Sequence, residues 1–112
     1  MNKLNFKLIK DKETIIEEKG LNCIINENKT QFIIDGIKYS FENNIFTRST
    51  KEELIIFDFE KELCKITLKE YNNSINLKLD EINIQKNNKN ITITYKIETE
   101  EEVNNIISIE YV

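Results

Sequence analysis

The sequence contains no histidine, and this absence limits the chemistry that the chain can perform. Histidine is the usual general base near neutral pH and the commonest metal ligand in proteins. Without it, neither a Ser-His-Asp triad nor a Cys-His pair can be built within this chain. We therefore expect a protein that is not an enzyme.

Other residue types that support specific sites are scarce. The cysteines Cys23 and Cys64 are far apart in sequence, and a zinc site made of cysteine alone needs four. The glycines Gly20 and Gly36 are too few for a glycine-rich phosphate loop, and no EF-hand calcium sequence occurs. The sequence therefore predicts neither a cofactor nor a metal ion.

Alanine is absent as well, and the apolar residues that are present favour strands. Alanine is the best helix former, whereas isoleucine, which occurs 21 times, is a poor helix former and a strong strand former. The chain has 112 residues, a length typical of one domain. Composition alone therefore indicates a single β-rich domain over residues 1–112.

Long apolar runs are also missing. The longest apolar segment is the four residues 54–57, and residues 1–10 alternate apolar with polar side chains. A signal peptide and a transmembrane helix both need longer apolar segments. We therefore expect a cytoplasmic protein in which Cys23 and Cys64 are free thiols in or near the core.

Apolar and polar residues alternate along most of the chain, which is the pattern of strands with one buried and one exposed face. The clearest case is residues 91–97, where isoleucine and tyrosine alternate with threonine and lysine. Similar runs lie at 4–8, 14–17, 21–25, 32–34, 37–41, 45–47, 55–59, 64–68, 75–79, 82–84 and 107–111. The pattern predicts about 8–10 short strands.

Residues that tolerate a left-handed backbone lie between these runs. Asp35-Gly36 is a strong hairpin signal, and asparagine pairs lie at 43–44, 72–73, 87–88 and 104–105. The connections are about two to five residues long, so neighbouring strands should pair antiparallel. The sequence therefore predicts an all-β fold, an antiparallel meander that closes into a small β-barrel.

Two segments have a helical alternative. Residues 49–57 begin with Ser-Thr-Lys-Glu-Glu, which imitates a helix cap, and the acidic residues 98–105 are long enough for one turn. A loop is favoured over a helix at each. The terminal runs 4–8 and 107–111 would be open edges unless they pair with each other, so a homo-oligomer is a further possibility.

Carboxylates are the remaining candidates for a site. The densest charged feature is formed by Glu98, Glu100, Glu101 and Glu102, which we predict either to bind a basic protein surface or a cation, or to be a solvated hairpin loop. Asp58 and Glu60 should share the outer face of a strand, in solvent. Elsewhere lysine and glutamate are interspersed, which argues against direct binding of nucleic acid.

The C-terminal half, about residues 54–112, resembles a family of small bacterial proteins with a calycin-like (lipocalin-type) β-barrel. The resemblance lies in the segments LIIFDFEKELCKITLK, INLKLDEINIQ and NITITYKIETEEEVNNIISIEYV. It implies a calycin-like barrel for the whole chain. The family has no established function and brings no catalytic residues.

Two functional hypotheses follow. The first is a non-catalytic, soluble barrel of unknown function that binds a small apolar ligand, unless inward side chains fill its interior. The second is a small acidic inhibitor, encoded by a phage, that presents negative charge to a nucleic-acid-binding partner. The formal net charge of −4 is mild for such a mimic, so the first hypothesis is preferred.

Overall fold

The computed structural model describes residues 2–112, which form strands joined by short connections. The ten strands are β1 (Asn2–Lys10), β2 (Glu13–Asn26), β3 (Lys29–Ile34), β4 (Ile37–Glu42), β5 (Ile45–Ser49), β6 (Glu53–Asp58), β7 (Leu63–Leu68), β8 (Asn73–Lys86), β9 (Asn90–Ile97) and β10 (Glu100–Tyr111). Their hydrogen-bonded order runs from β1 through β10 back down to β2 and closes on itself. The prediction of an all-β antiparallel meander that closes into a barrel is therefore confirmed.

Backbone contacts divide the chain into two compact units. Unit 1 is formed by the chain up to Asn22 together with Leu79–Val112, and unit 2 is formed by Cys23–Lys78. That the chain is a single domain stays a prediction. Within residues 2–112, no helix has the length and apolar character that crossing a membrane requires.

Unit 1 buries one face of β1, β9 and β10. Leu8, Ile107 and Ile93 lie side by side in register, and the positions between them carry polar side chains such as Ser108 and Thr92. The most deeply buried side chains of this unit are Leu4, Phe6, Leu79, Ile93, Ile107 and Ile109. The period-two pattern of the sequence thus places large apolar residues on the inner face of each strand.

The first and last strands of unit 1 pair with each other. The register runs from Leu4 opposite Tyr111 to Lys10 opposite Asn105, and the backbone N–H of Val112 donates to the Lys3 carbonyl at 3.0 Å. This pairing provides the closure that the sequence analysis left open. Neither terminal strand therefore presents the open edge that would invite pairing with another copy of the chain.

The core of unit 2 contains an aromatic series that crosses four adjacent strands. Phe32 stacks on Tyr39 at a centroid distance of 5.4 Å, and Phe46 lies 5.9 Å from Tyr39 and 6.1 Å from Phe57. These residues belong to β3, β4, β5 and β6 in turn. Aromatic pairs at such distances contribute about 0.5–1.5 kcal/mol each beyond the burial of their area.

Three two-residue connections have positive φ at both positions, which is typical of type I′ hairpins. They are Asp11-Lys12, Asp35-Gly36 and Asn43-Asn44. The turns predicted at Asp35-Gly36 and Asn43-Asn44 are therefore confirmed. The pair at 87–88 also lies in a connection, whereas at 72–73 only Asn72 does, because Asn73 begins β8.

The turn predicted at Asn104-Asn105 is wrong, because both residues lie within β10. The Asn104 carbonyl accepts the backbone N–H of Asp11 at 2.8 Å, and the buried Asn105 donates from Nδ2 to the Tyr95 carbonyl at 3.4 Å. These bonds hold the pair inside the sheet. The residue type alone does not show this, because asparagine serves turns and sheet irregularities equally well.

The helical alternatives are wrong as well. Residues 49–57 comprise the end of β5, a three-residue connection and most of β6, and residues 98–105 are a turn followed by strand. The Thr50 hydroxyl accepts the backbone N–H groups of Glu52 and Glu53 at 3.2 and 3.1 Å. Thr50 therefore closes a loop with hydrogen bonds that resemble those of a helix cap, which explains the ambiguous sequence signal.

Three strands are longer than the short strands that the sequence predicts: β2 and β8 have 14 residues each, and β10 has 12. Two pairs of runs, 14–17 with 21–25 and 75–79 with 82–84, each form one continuous strand. A residue with positive φ marks each junction, Gly20 at 66° and Glu81 at 50°. Such a residue bends a strand without ending it.

We predict that Ile109→Val lowers the free energy of unfolding by about 1 kcal/mol, because it removes a methylene from a filled core. Ile109 is 0% exposed, whereas Ile33 is 58% exposed and provides the matched control Ile33→Val. The control should stay within about 0.5 kcal/mol of the wild type. Urea unfolding followed by circular dichroism measures both variants, and equal losses would contradict the described burial.

We predict that Gly20→Ala lowers the free energy of unfolding by about 1 kcal/mol, the strain of a left-handed backbone for an L residue. An added Cβ would meet no atom within 4 Å, so the effect is one of backbone conformation rather than of crowding. The Gly20 N–H donates to Asn5 Oδ1 at 2.8 Å, which holds the bend in place.

The control for this change is Lys19→Ala, at the exposed neighbouring residue. Its free energy of unfolding should stay within about 0.5 kcal/mol of the wild-type value. The same unfolding measurement applies to both. A Gly20→Ala variant as stable as the wild type would show that the backbone at this position does not require positive φ.

Candidate functional site

The four predicted glutamates lie where β9 turns into β10. Glu98 is in the turn with Thr99, whereas Glu100, Glu101 and Glu102 are the first residues of β10. The solvated hairpin loop that the sequence suggested is thus limited to two residues. Glu98, Glu101 and Glu102 are exposed, and Glu100 is half-buried.

Two of these glutamates, Glu101 and Glu102, lie in a bulge of β10. Glu100 is opposite Ile97 and Asn105 is opposite Tyr95, so four residues of β10 lie where β9 has only Lys96. Such extra residues lack ladder partners on the neighbouring strand and bend the strand. Val103, within this run, is half-buried. We call residues 98–104 the acidic bulge.

Ion pairing leaves most of this charge uncompensated. Lys10 Nζ lies 3.2 Å from Glu100 Oε2. Within residues 2–112, Glu98, Glu101 and Glu102 form no ion pair. Their carboxylates are therefore available to a partner, and the pair that does form is largely solvent-exposed and contributes little to stability.

The neighbouring strand β8 adds to the acidic character of this end of unit 1. Asp80 is opposite Lys96, and Glu81 Oε2 lies 3.1 Å from Lys96 Nζ. With the bulge, these residues make six carboxylates against the two ammonium groups of Lys10 and Lys96, a balance of −4. The rest of the chain has 14 acidic and 14 basic residues, so this end carries the entire formal net charge of the protein.

An apolar recess, which the sequence analysis did not predict, lies beside the acidic bulge in unit 1. It is open to solvent, has a volume of about 160 Å³, and is lined by Leu8, Ile9, Lys10, Ile15, Tyr95, Asn105 and Ile106. Two lining residues connect it to the bulge, because Lys10 pairs with Glu100 and Asn105 directly follows residue 104. We call this feature the apolar recess.

A sequence signal for the recess exists in three doublets of apolar residues. Leu8-Ile9, Ile15-Ile16 and Ile106-Ile107 each interrupt the alternation and put an apolar residue on both faces of a strand. One or both members of each doublet line the recess. Doublets also occur at 24–25 and 33–34, so the pattern indicates exposed apolar surface without locating it.

The paired carboxylates Asp58 and Glu60 have structural roles. Asp58 Oδ1 accepts the backbone N–H groups of Glu60 at 3.2 Å and Lys61 at 3.0 Å, which closes the connection after β6. Glu60 Oε1 accepts from Asn44 Nδ2 at 3.3 Å. In the part of the chain that the structure describes, no group of three or more cysteine, aspartate or glutamate side chains could hold a metal ion.

The two cysteines are buried free thiols, as the sequence predicts. Burial raises the pKa of Cys23, and it raises the pKa of Cys64, which is 1% exposed, to about 11. A nucleophilic cysteine needs the opposite environment, one that lowers its pKa and stabilises the thiolate. Neither thiol is therefore prepared for nucleophilic chemistry.

We predict that the stability difference between wild type and Cys64→Ala shrinks as the pH rises from 9 towards 11. The thiol of the unfolded chain ionises near its ordinary pKa of 9.0, whereas the folded thiol ionises near 11. Between these values the unfolded state loses the proton first and is favoured, and below both values the contribution of Cys64 is fully present.

Urea unfolding of both proteins over this pH range measures the effect. The control is Ile93→Val, a core change without an ionisable group, whose difference from the wild type should not vary with pH. A pH-independent difference for Cys64→Ala would contradict the raised pKa.

Comparisons with models of known families, with curated proteins and with solved structures give no match for this chain. The closed ten-stranded antiparallel meander is seen directly in the strand pairing. Membership of the calycin-like family stays a prediction.

Proposed function

We propose that this protein is a non-catalytic binding module that holds a basic segment of another protein against its acidic bulge. The observation that carries the proposal is the location of the whole charge imbalance at one end of unit 1, where the carboxylates of Glu98, Glu101 and Glu102 form no ion pair in residues 2–112.

Electrostatics favours a basic partner at this end. Like charges placed close together repel, so a cluster of carboxylates gains free energy when a positively charged surface approaches it. Complementary charge also steers the encounter and raises the association rate. Because solvent ions screen such interactions over about 8–10 Å, binding should weaken as salt is added.

The geometry of β10 supports the same proposal. The extra residues of the bulge lie outside the ladder with β9, and Glu101 and Glu102 are exposed there. Bulges occur preferentially where a strand has to re-aim its side chains or end its pairing. The bulge is held by the 2.8 Å bond from the Asp11 N–H to the Asn104 carbonyl, so its carboxylates are presented on a supported segment.

Binding of a small apolar ligand, the first hypothesis from the sequence, stays a prediction and ranks second. Large side chains fill the inner faces of both units, and the apolar recess has a volume of about 160 Å³. Pockets for small molecules generally measure about 300–1,000 Å³. The recess can therefore bind one group of a molecule, but it is too small to enclose a whole ligand.

The environments of the cysteine thiols and of Asp58 support the statement that the protein is non-catalytic. The buried thiols are shifted away from the thiolate form, and Asp58 is occupied by backbone N–H groups. We also propose a cytoplasmic location, in keeping with two free thiols. A nucleic-acid-binding partner and a phage origin remain narrower predictions within the proposal.

The proposal predicts that reversing three carboxylates of the bulge abolishes binding of a basic peptide. In the variant Glu98→Lys/Glu101→Lys/Glu102→Lys, the affinity for a fluorescent octalysine peptide at low salt should fall by about tenfold or more, because three charge pairs are lost. Fluorescence anisotropy measures the affinity, and thermal unfolding verifies that the variant is folded.

The matched control is Glu27→Lys/Glu42→Lys/Glu70→Lys, which reverses three exposed glutamates of unit 2. Both triple variants change the formal net charge from −4 to +2, because each substitution adds two charges. The control should retain most of the binding. If both variants lose affinity equally, overall charge rather than the acidic bulge is responsible, and the proposal fails.

A further inference from the structure

We propose that the apolar recess receives one apolar side chain from the same basic segment that the acidic bulge binds. The partner is then a segment of a protein chain in which a single aliphatic or aromatic residue is flanked by lysine or arginine. This inference rests on the proposed function and specifies the chemistry of its partner.

The size of the recess limits its occupant to one side chain. Its walls are mostly apolar, from Leu8, Ile9, Ile15 and Ile106, and its volume is about 160 Å³. A protein cavity of about 150 Å³ is known to hold one benzene ring. A leucine, methionine or phenylalanine side chain matches this volume, whereas a lipid or a large cofactor does not.

The recess and the bulge are close enough for one short segment to reach both. Asn105 lies in the wall of the recess, and Glu102 is three residues before it on the same strand. At about 3.3 Å per residue, the two are at most about 10 Å apart along the chain. A basic residue two or three positions from the apolar anchor therefore reaches the carboxylates of the bulge.

The edge of the recess combines apolar and charged groups as protein interfaces do. Lys10 lines the recess and pairs with Glu100 at 3.2 Å, so the apolar surface ends directly at the acidic bulge. Asn105 is held by its bond to the Tyr95 carbonyl, which keeps that wall in place. A buried apolar anchor surrounded by polar contacts is the usual arrangement of an energetically dominant interface residue.

Charge complementarity favours a basic partner over a second copy of this chain. In a symmetric dimer that used the same patch on both copies, the two acidic bulges would approach each other. Each carries an excess of negative charge, so the approach would be repulsive. A basic segment brings the opposite charge together with the apolar side chain.

Two seven-residue peptides test the inference, Lys-Lys-Ser-Leu-Ser-Lys-Lys and Lys-Lys-Ser-Ser-Ser-Lys-Lys. They differ only in the central residue, and their lysines stand two and three positions from it. The wild type should bind the leucine peptide about tenfold or more tightly than the serine peptide, because one leucine side chain leaves water. Isothermal titration calorimetry or anisotropy at fixed low salt measures both affinities.

The variant Ile15→Ser removes an apolar wall of the recess without changing charge. Ile15 is 55% exposed, and Ile33, in the control Ile33→Ser, is 58% exposed, so neither change threatens the core. Ile15→Ser should bring the affinity for the leucine peptide close to that for the serine peptide. Ile33→Ser should leave the preference for leucine intact.

The outcomes separate the two proposals. Equal affinity of the wild type for both peptides would overturn the inference and leave the proposed function standing, whereas no binding of either peptide would overturn both. A preference for leucine that survives in Ile15→Ser would place the anchor elsewhere and overturn the inference. Sedimentation that shows a wild-type dimer and an Ile15→Ser monomer would identify a second copy as the occupant, which also overturns it.

Discussion

The pairing of β1 with β10 is the contact on which the other features of unit 1 depend. A meander whose first and last strands stayed apart would leave two rows of unsatisfied backbone groups. The register of this pair also decides which side chains meet, since Lys10 lies opposite Asn105 and Ile9 opposite Ile106. All four line the recess, and a slip of one strand by one residue would turn that strand's side chains to the other face.

Residues with positive φ occur both in the hairpins and at the bends of this fold. At Asn43-Asn44, two consecutive residues adopt it and the chain reverses, whereas at Gly20 and Glu81 a single residue adopts it and the strand continues. One left-handed residue changes the direction and twist of a strand, while two in succession supply the geometry of a type I′ turn. A single left-handed residue does not by itself decide between a bend and a hairpin, because Glu27, Glu62 and Asn72 also adopt positive φ singly and lie in connections where the chain reverses.

The alternation of apolar residues was enough to predict an all-β meander, because period two is specific to strands. It was not enough to predict where strands end. Asn104-Asn105 resembles Asn43-Asn44 in composition, yet Asn105 is bonded to Tyr95 within the sheet, a contact between two strands that the pair of residue types does not reveal. The apolar recess was missed for a related reason: Ile15-Ile16 and Ile33-Ile34 are both pairs of isoleucine, and only the fold shows that Ile15 lines the recess.

Neither half of the candidate site would carry a functional argument by itself. An exposed isoleucine is ordinary on a protein surface, and exposed glutamates usually do no more than interact with water. Their adjacency is what matters here, because charge and apolar contact act on different steps of binding. Carboxylates that attract a basic segment mainly raise its association rate, while an apolar side chain seated in a recess mainly slows its dissociation. A surface with carboxylates and an apolar recess within about 10 Å of each other can therefore select a short segment that carries both positive charge and an apolar side chain. A uniformly basic partner would gain only from the carboxylates.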